Sequence, residues 1–181
     1  MLEFFYDPNR YFRERTPLSS IPPAIMVVVA SFASAVSAAS VIAGAPEQSE
    51  TYSAIMTVVT LLFNIPIAFV WNLLLLGIYA SILHVLASSI FDGGESFGTT
   101  VKVAAWGFLP LIFSHLLTSF AYEPELSSKL PFLISTLAIV WQGAIWSFGL
   151  RHTHDLSFRN SVLTAGVPVA LMLARVLLET A

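Results

Sequence analysis

The sequence predicts an all-α membrane protein, a polytopic bundle of about five transmembrane helices with its N-terminus inside and its C-terminus outside. Composition is the first reason, because 56% of the 181 residues are hydrophobic and only 10% are charged. Soluble domains carry roughly 25% charged residues. The second reason is the mean hydropathy of +0.80. The third is a series of long charge-free stretches, since a span needs only ~20 mostly apolar residues.

The first span is predicted at residues 22–44, because no charged residue occurs between Thr16 and Pro46. Pro22 and Pro23 suit the first turn of a helix, where a missing N–H costs little. Small residues then recur at helical spacing: Ala30, Ser34 and Ala38 on one row, and Ser31, Ala35 and Ala39 on the next. Small residues let helices approach closely in lipid, which favours packing inside the bundle. A homo-oligomer through the same face is the alternative.

The second span is predicted at residues 63–91, the last part of a charge-free stretch that is too long for one ordinary span. The preceding residues 52–62 would form an outer extension or an interfacial turn. The alternative is a pair of short spans broken near Asn64-Ile65-Pro66, where proline interrupts helical hydrogen bonding.

Three further spans are predicted at residues 99–121, 131–150 and 160–178. Polar, turn-like segments separate them. Pro110 in the third span and Pro168 in the fifth each remove a backbone donor, so both predict a break or kink.

The distribution of lysines and arginines predicts the orientation, because these residues concentrate in cytoplasmic loops next to spans. Five spans with the N-terminus inside place six of them on the cytoplasmic side, namely Arg10, Arg13, Arg15, Lys102, Arg151 and Arg159. Lys129 and Arg175 then lie at the outer side. Six spans would move part of the first group outside, so five spans are favoured.

Residues 1–20 are predicted to form an N-terminal interfacial amphipathic segment ahead of a membrane domain over 21–181. Asp7 can cap a short helix that has Pro8 at its first position. Aromatic residues and arginines alternate along this segment, which is typical of a helix on the inner leaflet. An arm that docks a partner protein is the alternative.

Composition also excludes several kinds of chemistry. The chain has no cysteine, so it has no disulfide, no thiolate metal site and no cysteine nucleophile. A net charge of −3 gives no basic surface for nucleic acid. Neither a Gly-x-Ser-x-Gly nor a His-Glu-x-x-His motif occurs. We therefore expect no enzyme and no cofactor.

The histidines raise the question of a metal site. His152 and His154 beside Asp155 have a spacing that can ligate zinc, but a third ligand would have to come from His84 or Glu95. A solvated loop at a helix end explains the same residues. We therefore predict no metal.

His84 itself lies inside the cytoplasmic half of the second span, where an imidazole facing lipid is costly. It should face the bundle and hydrogen-bond Asp155, His154 or a backbone carbonyl opened by Pro110. The turn that follows contains Asp92, Gly93 and Gly94, and its glycines are expected to adopt positive φ. The candidate interhelical and motif positions are His84, Asp92, Gly93, Gly94, Pro110, His154 and Asp155.

Three segments of the chain resemble the Yip family, membrane proteins named for interaction with Ypt/Rab GTPases in eukaryotes. They are Asp7-Pro8-Asn9-Arg10-Tyr11-Phe12; His84 with the turn at 91–97, Thr99-Thr100-Val101 and Pro110; and Trp146 with Gly149-Leu150, His154, Leu156-Ser157 and Ala165. The resemblance implies the same five spans and brings no agreed enzymatic activity.

It also implies a role in organising membrane or partner proteins at the cytoplasmic face. The alternative is a transporter, channel or lipid-handling protein. The long cytosolic N-terminal region of eukaryotic members has no counterpart here, which implies a minimal, prokaryotic relative located in the cell membrane.

Overall fold

The computed structural model describes residues 7–14, 18–19, 21–43, 50–120 and 129–180. These residues are helical almost throughout, and no strand occurs among them. The α-helices are α1 (Pro8–Glu14), α2 (Ile21–Ala43), α3 (Glu50–Val85), α4 (Phe97–Trp106), α5 (Phe108–Phe120), α6 (Lys129–Thr153) and α7 (Phe158–Thr180). A π-helical turn, Leu86–Ile90, continues α3.

Five segments are long and apolar enough to cross a membrane, which confirms the prediction of an all-α, five-span protein. They are α2, α3 with its π-helical turn, α4 and α5 together, α6, and α7. The orientation, with the N-terminus inside, stays a prediction.

The second spanning helix is longer than the sequence predicts. α3 begins at Glu50 rather than near residue 63, and its 36 residues extend ~54 Å at 1.5 Å per residue. It runs unbroken through Pro66, so the stretch is not two short spans. Of the loops predicted to face out, 46–52 and 122–130, residues 46–49 and 122–128 lie outside the described residues.

The third span is divided in two at Gly107. Its N–H turns back to the carbonyl oxygen of Ala104, 3.0 Å away, which ends α4. Pro110 then occupies the first turn of α5, where a helix needs no N–H from it. The break predicted from Pro110 is thus displaced to the preceding glycine, whereas α7 continues through Pro168.

The core lies where α4 and α5 pass between α2 and α6, because residues 103–110 are all buried. α2 packs against α3 and α5. Its small residues Ala30 and Ser31 are buried there, and Asn72 of α3 donates to the Ser31 hydroxyl at 3.1 Å. The small-residue face of the first span therefore serves packing inside the bundle. Large apolar side chains of α3, such as Leu62, point outward as lipid requires.

Cysteine labelling tests the predicted orientation. Ser157 and Lys129 are exposed residues at opposite ends of α6, and the chain has no cysteine of its own. We expect a membrane-impermeant maleimide added outside cells to label Lys129→Cys and to spare Ser157→Cys, because of the lysine and arginine distribution. Labelling of Ser157→Cys without labelling of Lys129→Cys would contradict the predicted orientation.

Candidate functional site

Two connecting loops meet at one end of the bundle. Residues 91–96 join the π-helical turn to α4, and residues 154–157 join α6 to α7. The Gly93 N–H donates to the carbonyl oxygen of Ala87 at 2.8 Å, which folds the first loop back. A Cβ placed on Gly93 would lie 3.1 Å from the Cβ of His154, so the loops touch. We call this end, with both loops, the histidine end.

Thr100 connects the two histidines there. Its side chain is fully buried one turn into α4, and its hydroxyl lies 3.1 Å from Nδ1 of His84 and 2.8 Å from Nε2 of His154. A threonine hydroxyl both donates and accepts, so it can bond both rings when the two neutral rings carry their proton on the same nitrogen, Nδ1 in both or Nε2 in both. The three side chains tie α3, α4 and the loop after α6 together.

His84 faces the bundle, and its partner is Thr100 rather than the residues that the sequence suggested. Asp155 is exposed, and the His154 ring lies with its centroid 6.0 Å from that of His84 and shares the Thr100 hydroxyl with it. The ring of Phe97 covers His84 edge-on, with centroids 5.5 Å apart. Ser96 caps α4 by accepting from the Thr99 N–H, which fixes the start of that helix. The roles assigned to these residues stay predictions.

His154 is buried in this contact, with 2% of its surface exposed. Burial lowers its pKa, the nearby His84 lowers it further, and Glu95 acts in the opposite direction. The uncharged ring suits a hydrogen bond with a neutral hydroxyl. Its Nδ1 atom has no partner among the described residues and lies against Gly93.

The positive φ expected at the glycines occurs at aspartates instead. Asp92 and Asp155 both have φ of 55°, and no described glycine has a positive φ. Aspartate tolerates the left-handed region better than most residues. Each loop thus has an aspartate in this conformation near its start. Gly93 is needed for close approach rather than for its backbone angle.

Substitution of Gly93 and of Gly94 should distinguish a need for close approach of the loops from a need for a positive φ. A Cβ on Gly93 would meet the Ala87 carbonyl oxygen at 2.9 Å, whereas one on Gly94 would meet nothing within 4 Å. We expect Gly93→Val to lower the free energy of unfolding by about 2 kcal/mol and Gly94→Val to change it little. Thermal unfolding in mild detergent measures both. Equal losses would show that the contact with His154 is unimportant.

The N-terminal helix α1 packs onto the same end. Asp7 accepts a hydrogen bond from the Arg10 N–H at 2.9 Å, which is the predicted cap. Phe12 is fully buried, and Tyr11 packs edge-on against Trp106 with centroids 5.3 Å apart. The aromatic face of α1 is therefore covered by protein, while the interfacial position of residues 1–20 stays a prediction. Residues 1–6, 15–17 and 20 of this segment lie outside the described residues.

The histidines do not gather around one point. His152 bonds the Asn9 side-chain oxygen of α1 at 2.7 Å, whereas His84 and His154 share Thr100. Within the described ranges no group of three or more histidine, aspartate or glutamate residues is placed to hold a metal ion.

Exposed charges of both signs surround this packed centre. They are Arg10, Arg13, Glu14, Asp92, Glu95, Arg151, Asp155 and Arg159. Arg10 and Glu14 form an ion pair at 2.8 Å, and the Glu95 carboxylate accepts from the Thr99 hydroxyl. Arg151 lies 5.7 Å above the Phe158 ring. The histidine end thus presents a charged face on a buried scaffold.

Comparison with known proteins gives one match. The family model described as the Yip1 domain matches residues 2–178, almost the whole chain. No curated protein and no solved structure matches this chain.

Proposed function

The chain belongs to the Yip1 domain family, and from that premise we propose that it organises partner proteins at the membrane through its histidine end. It is an integral, multi-pass membrane protein. The proposed role is non-enzymatic, in keeping with a family that is not known for catalysis. The face would lie in the cytoplasm, which the lysine and arginine distribution supports.

The observation that carries the proposal is the connection through Thr100 of His84 in α3 with His154 in the second loop, on which the first loop packs. The hydroxyl of Thr100 bonds a histidine from each side, and Gly93 packs on His154. A surface held in one conformation loses less entropy when a partner binds. Buried polar contacts in membrane proteins contribute about 0.6 kcal/mol on average and up to about 1.7 kcal/mol each, so the bonds of Thr100 favour one conformation at this end.

The exposed charges support a protein partner of complementary charge. Both signs occur at this end, with Arg151 and Arg159 in the segment after α6 and Asp92 and Glu95 in the loop before α4. Mixed charges contribute more to the choice of partner than to raw affinity. Binding such a partner requires a folded, charged surface, and the histidine end has one.

Site-specific photo-crosslinking in native membranes tests the proposal. The crosslinker replaces Arg159 or Glu95 at the histidine end and, as the control, Leu62, an exposed lipid-facing residue of α3. We expect a discrete protein adduct from the first two positions only. Arg151→Glu should abolish that adduct without lowering thermal stability, because Arg151 is exposed.

Two results would contradict the proposal. One is an adduct from position 62 with none from position 95 or 159. The other is an adduct that survives Arg151→Glu together with Asp92→Lys.

A further inference from the structure

A groove on the outer surface of the bundle lies between α2, α3 and the start of α4 and has a volume of about 480 Å³. Buried side chains form its floor, namely Val27, Leu76 and Ala105. Exposed apolar side chains form its rim, namely Val28, Phe69 and Leu73. Apart from Lys102, every described residue that lines the groove is apolar. A polar solute would lose its hydration there without gaining partners, so the groove suits a hydrocarbon chain.

The groove begins at the histidine end and extends inward. Its residues on α4 recur every three or four positions and so share one face of that helix, namely Gly98, Val101, Lys102 and Ala105. Ala105 follows Phe97, the first residue of α4, by eight residues, which is ~12 Å at 1.5 Å per residue. One leaflet supplies about half of the ~30 Å hydrocarbon core. The groove therefore stays within a single leaflet, where acyl chains lie beside the helices.

Lys102 places a positive charge at the mouth of the groove. It is half-buried, and its ammonium group donates to the carbonyl oxygen of Leu18 at 2.7 Å. That uncharged oxygen is the acceptor of Lys102 among the described residues. The Glu95 carboxylate, in the loop before α4, accepts from the Thr99 hydroxyl instead. An ammonium group has three donors, so Lys102 can bind an anion and still keep its bond to Leu18.

We propose that the groove holds one acyl chain of an anionic phospholipid, whose phosphate binds Lys102. The chain gives the concave apolar surface the dispersion contacts that an unfilled groove loses. The ammonium and phosphate groups form a charge-assisted hydrogen bond. In the predicted orientation this end of the bundle faces the cytoplasmic leaflet, whose surface anionic lipids make negative. An apolar helix of a second copy would fit the walls but would bring Lys102 no anion, so charge favours the lipid.

Native mass spectrometry of the delipidated protein in detergent counts the lipids that return. Phosphatidylglycerol is anionic, phosphatidylcholine carries a compensating positive charge on its headgroup, and diacylglycerol has no phosphate. With the same acyl chains in all three, we expect the protein to retain one phosphatidylglycerol at concentrations at which neither of the others is retained. Phosphatidylglycerol should also raise the melting temperature over the same concentration range.

Lys102→Gln tests the phosphate contact. It should raise the half-saturating concentration of phosphatidylglycerol about tenfold, because a charge-assisted hydrogen bond is lost. Lys102→Arg retains the charge and should retain most of the affinity. Lys129→Gln is the matched control, since Lys129 is exposed at the opposite end of the bundle.

Gly98→Leu tests the chain contact. A Cβ on Gly98 would meet nothing nearer than the Ser96 hydroxyl oxygen at 3.8 Å, so leucine fits and occupies the groove. Without lipid the variant should unfold no earlier than the parent, because glycine is the weaker helix former. Its affinity for phosphatidylglycerol should fall about tenfold, as displacing about two methylene groups of the chain predicts. Gly94→Leu, in the loop outside the groove, should leave that affinity unchanged.

Three results would overturn the proposal. They are equal retention of phosphatidylcholine, unchanged affinity in Lys102→Gln or in Gly98→Leu, and a dimer of the chain that Gly98→Leu disrupts in place of a lipid adduct. None of them depends on crosslinking to a partner at the histidine end, so the two proposals fail separately.

Discussion

Replacing Gly107 by valine is expected to destabilise the protein more than any other single change considered, by about 3 kcal/mol. A Cβ at this position would lie 2.7 Å from Cε2 and still closer to Nε1 of Trp146, and 3.0 Å from Cγ of Gln142. Trp146 cannot withdraw easily, because its ring is fully buried and its Nε1 donates to the Ala104 carbonyl at 3.1 Å. The steric clash would therefore distort the backbone at the break between α4 and α5.

Gly77→Ala is the matched control for that variant. Gly77 also lies in a transmembrane helix, but a Cβ there would meet nothing within 4 Å. Alanine should stabilise α3 by up to about 1 kcal/mol, because glycine is the weaker helix former. Unfolding in detergent, followed by circular dichroism, compares the two variants. A Gly107→Val protein as stable as the parent would show that α4, α5 and α6 do not pack as described.

Thr100→Val should lower the free energy of unfolding by about 2 kcal/mol, as much as the Gly93 substitution. Valine keeps the shape but removes the hydroxyl that bonds His84 and His154. The buried His154 ring then loses the partner of Nε2 while its Nδ1 already has none among the described residues. We also expect the crosslinked adduct from position 159 to weaken, because the loop at 154–157, which precedes this position, is no longer held.

Two controls separate the hydroxyl from the rest of the side chain. Thr100→Ser retains the hydrogen bonds and should lose less than half as much stability. Thr99→Val removes a neighbouring hydroxyl whose bonds, to Glu95 and Ser96, are exposed, so its loss should be small. Equal unfolding temperatures for Thr100→Val and Thr99→Val would show that Thr100 is not the connection.

The number of spans was predictable because charges are expensive in lipid and their absence is visible in a sequence. The cap at Asp7 was also predictable, since it depends on neighbours along the chain. The partner of His84 was not. It depends on how α4 is rotated against α3, which places Thr100, rather than Asp155, opposite the ring.

Tertiary packing, rather than the local sequence, also determines which surface covers α1 and which of the two glycines, Gly93 or Gly94, is in close contact. The aromatic residues of α1 look the same whether they meet lipid or protein. Phe12 is fully buried and lies beside Gly149, where a Cβ would be 3.4 Å from its Cζ, an ordinary packing distance. Gly93 and Gly94 are likewise equivalent in the sequence, and only the approach of His154 distinguishes them.

Hydrogen exchange of the two loops, measured by mass spectrometry in lipid nanodiscs, tests most directly whether the histidine end is a preformed surface. The amides of Gly93 and His154 donate to Ala87 and Leu150 at 2.8 and 2.9 Å. We predict slow exchange at both amides in the parent protein and exchange about tenfold faster or more in Thr100→Val. Exchange in the parent protein as fast as in an unstructured peptide would contradict a preformed surface at this end.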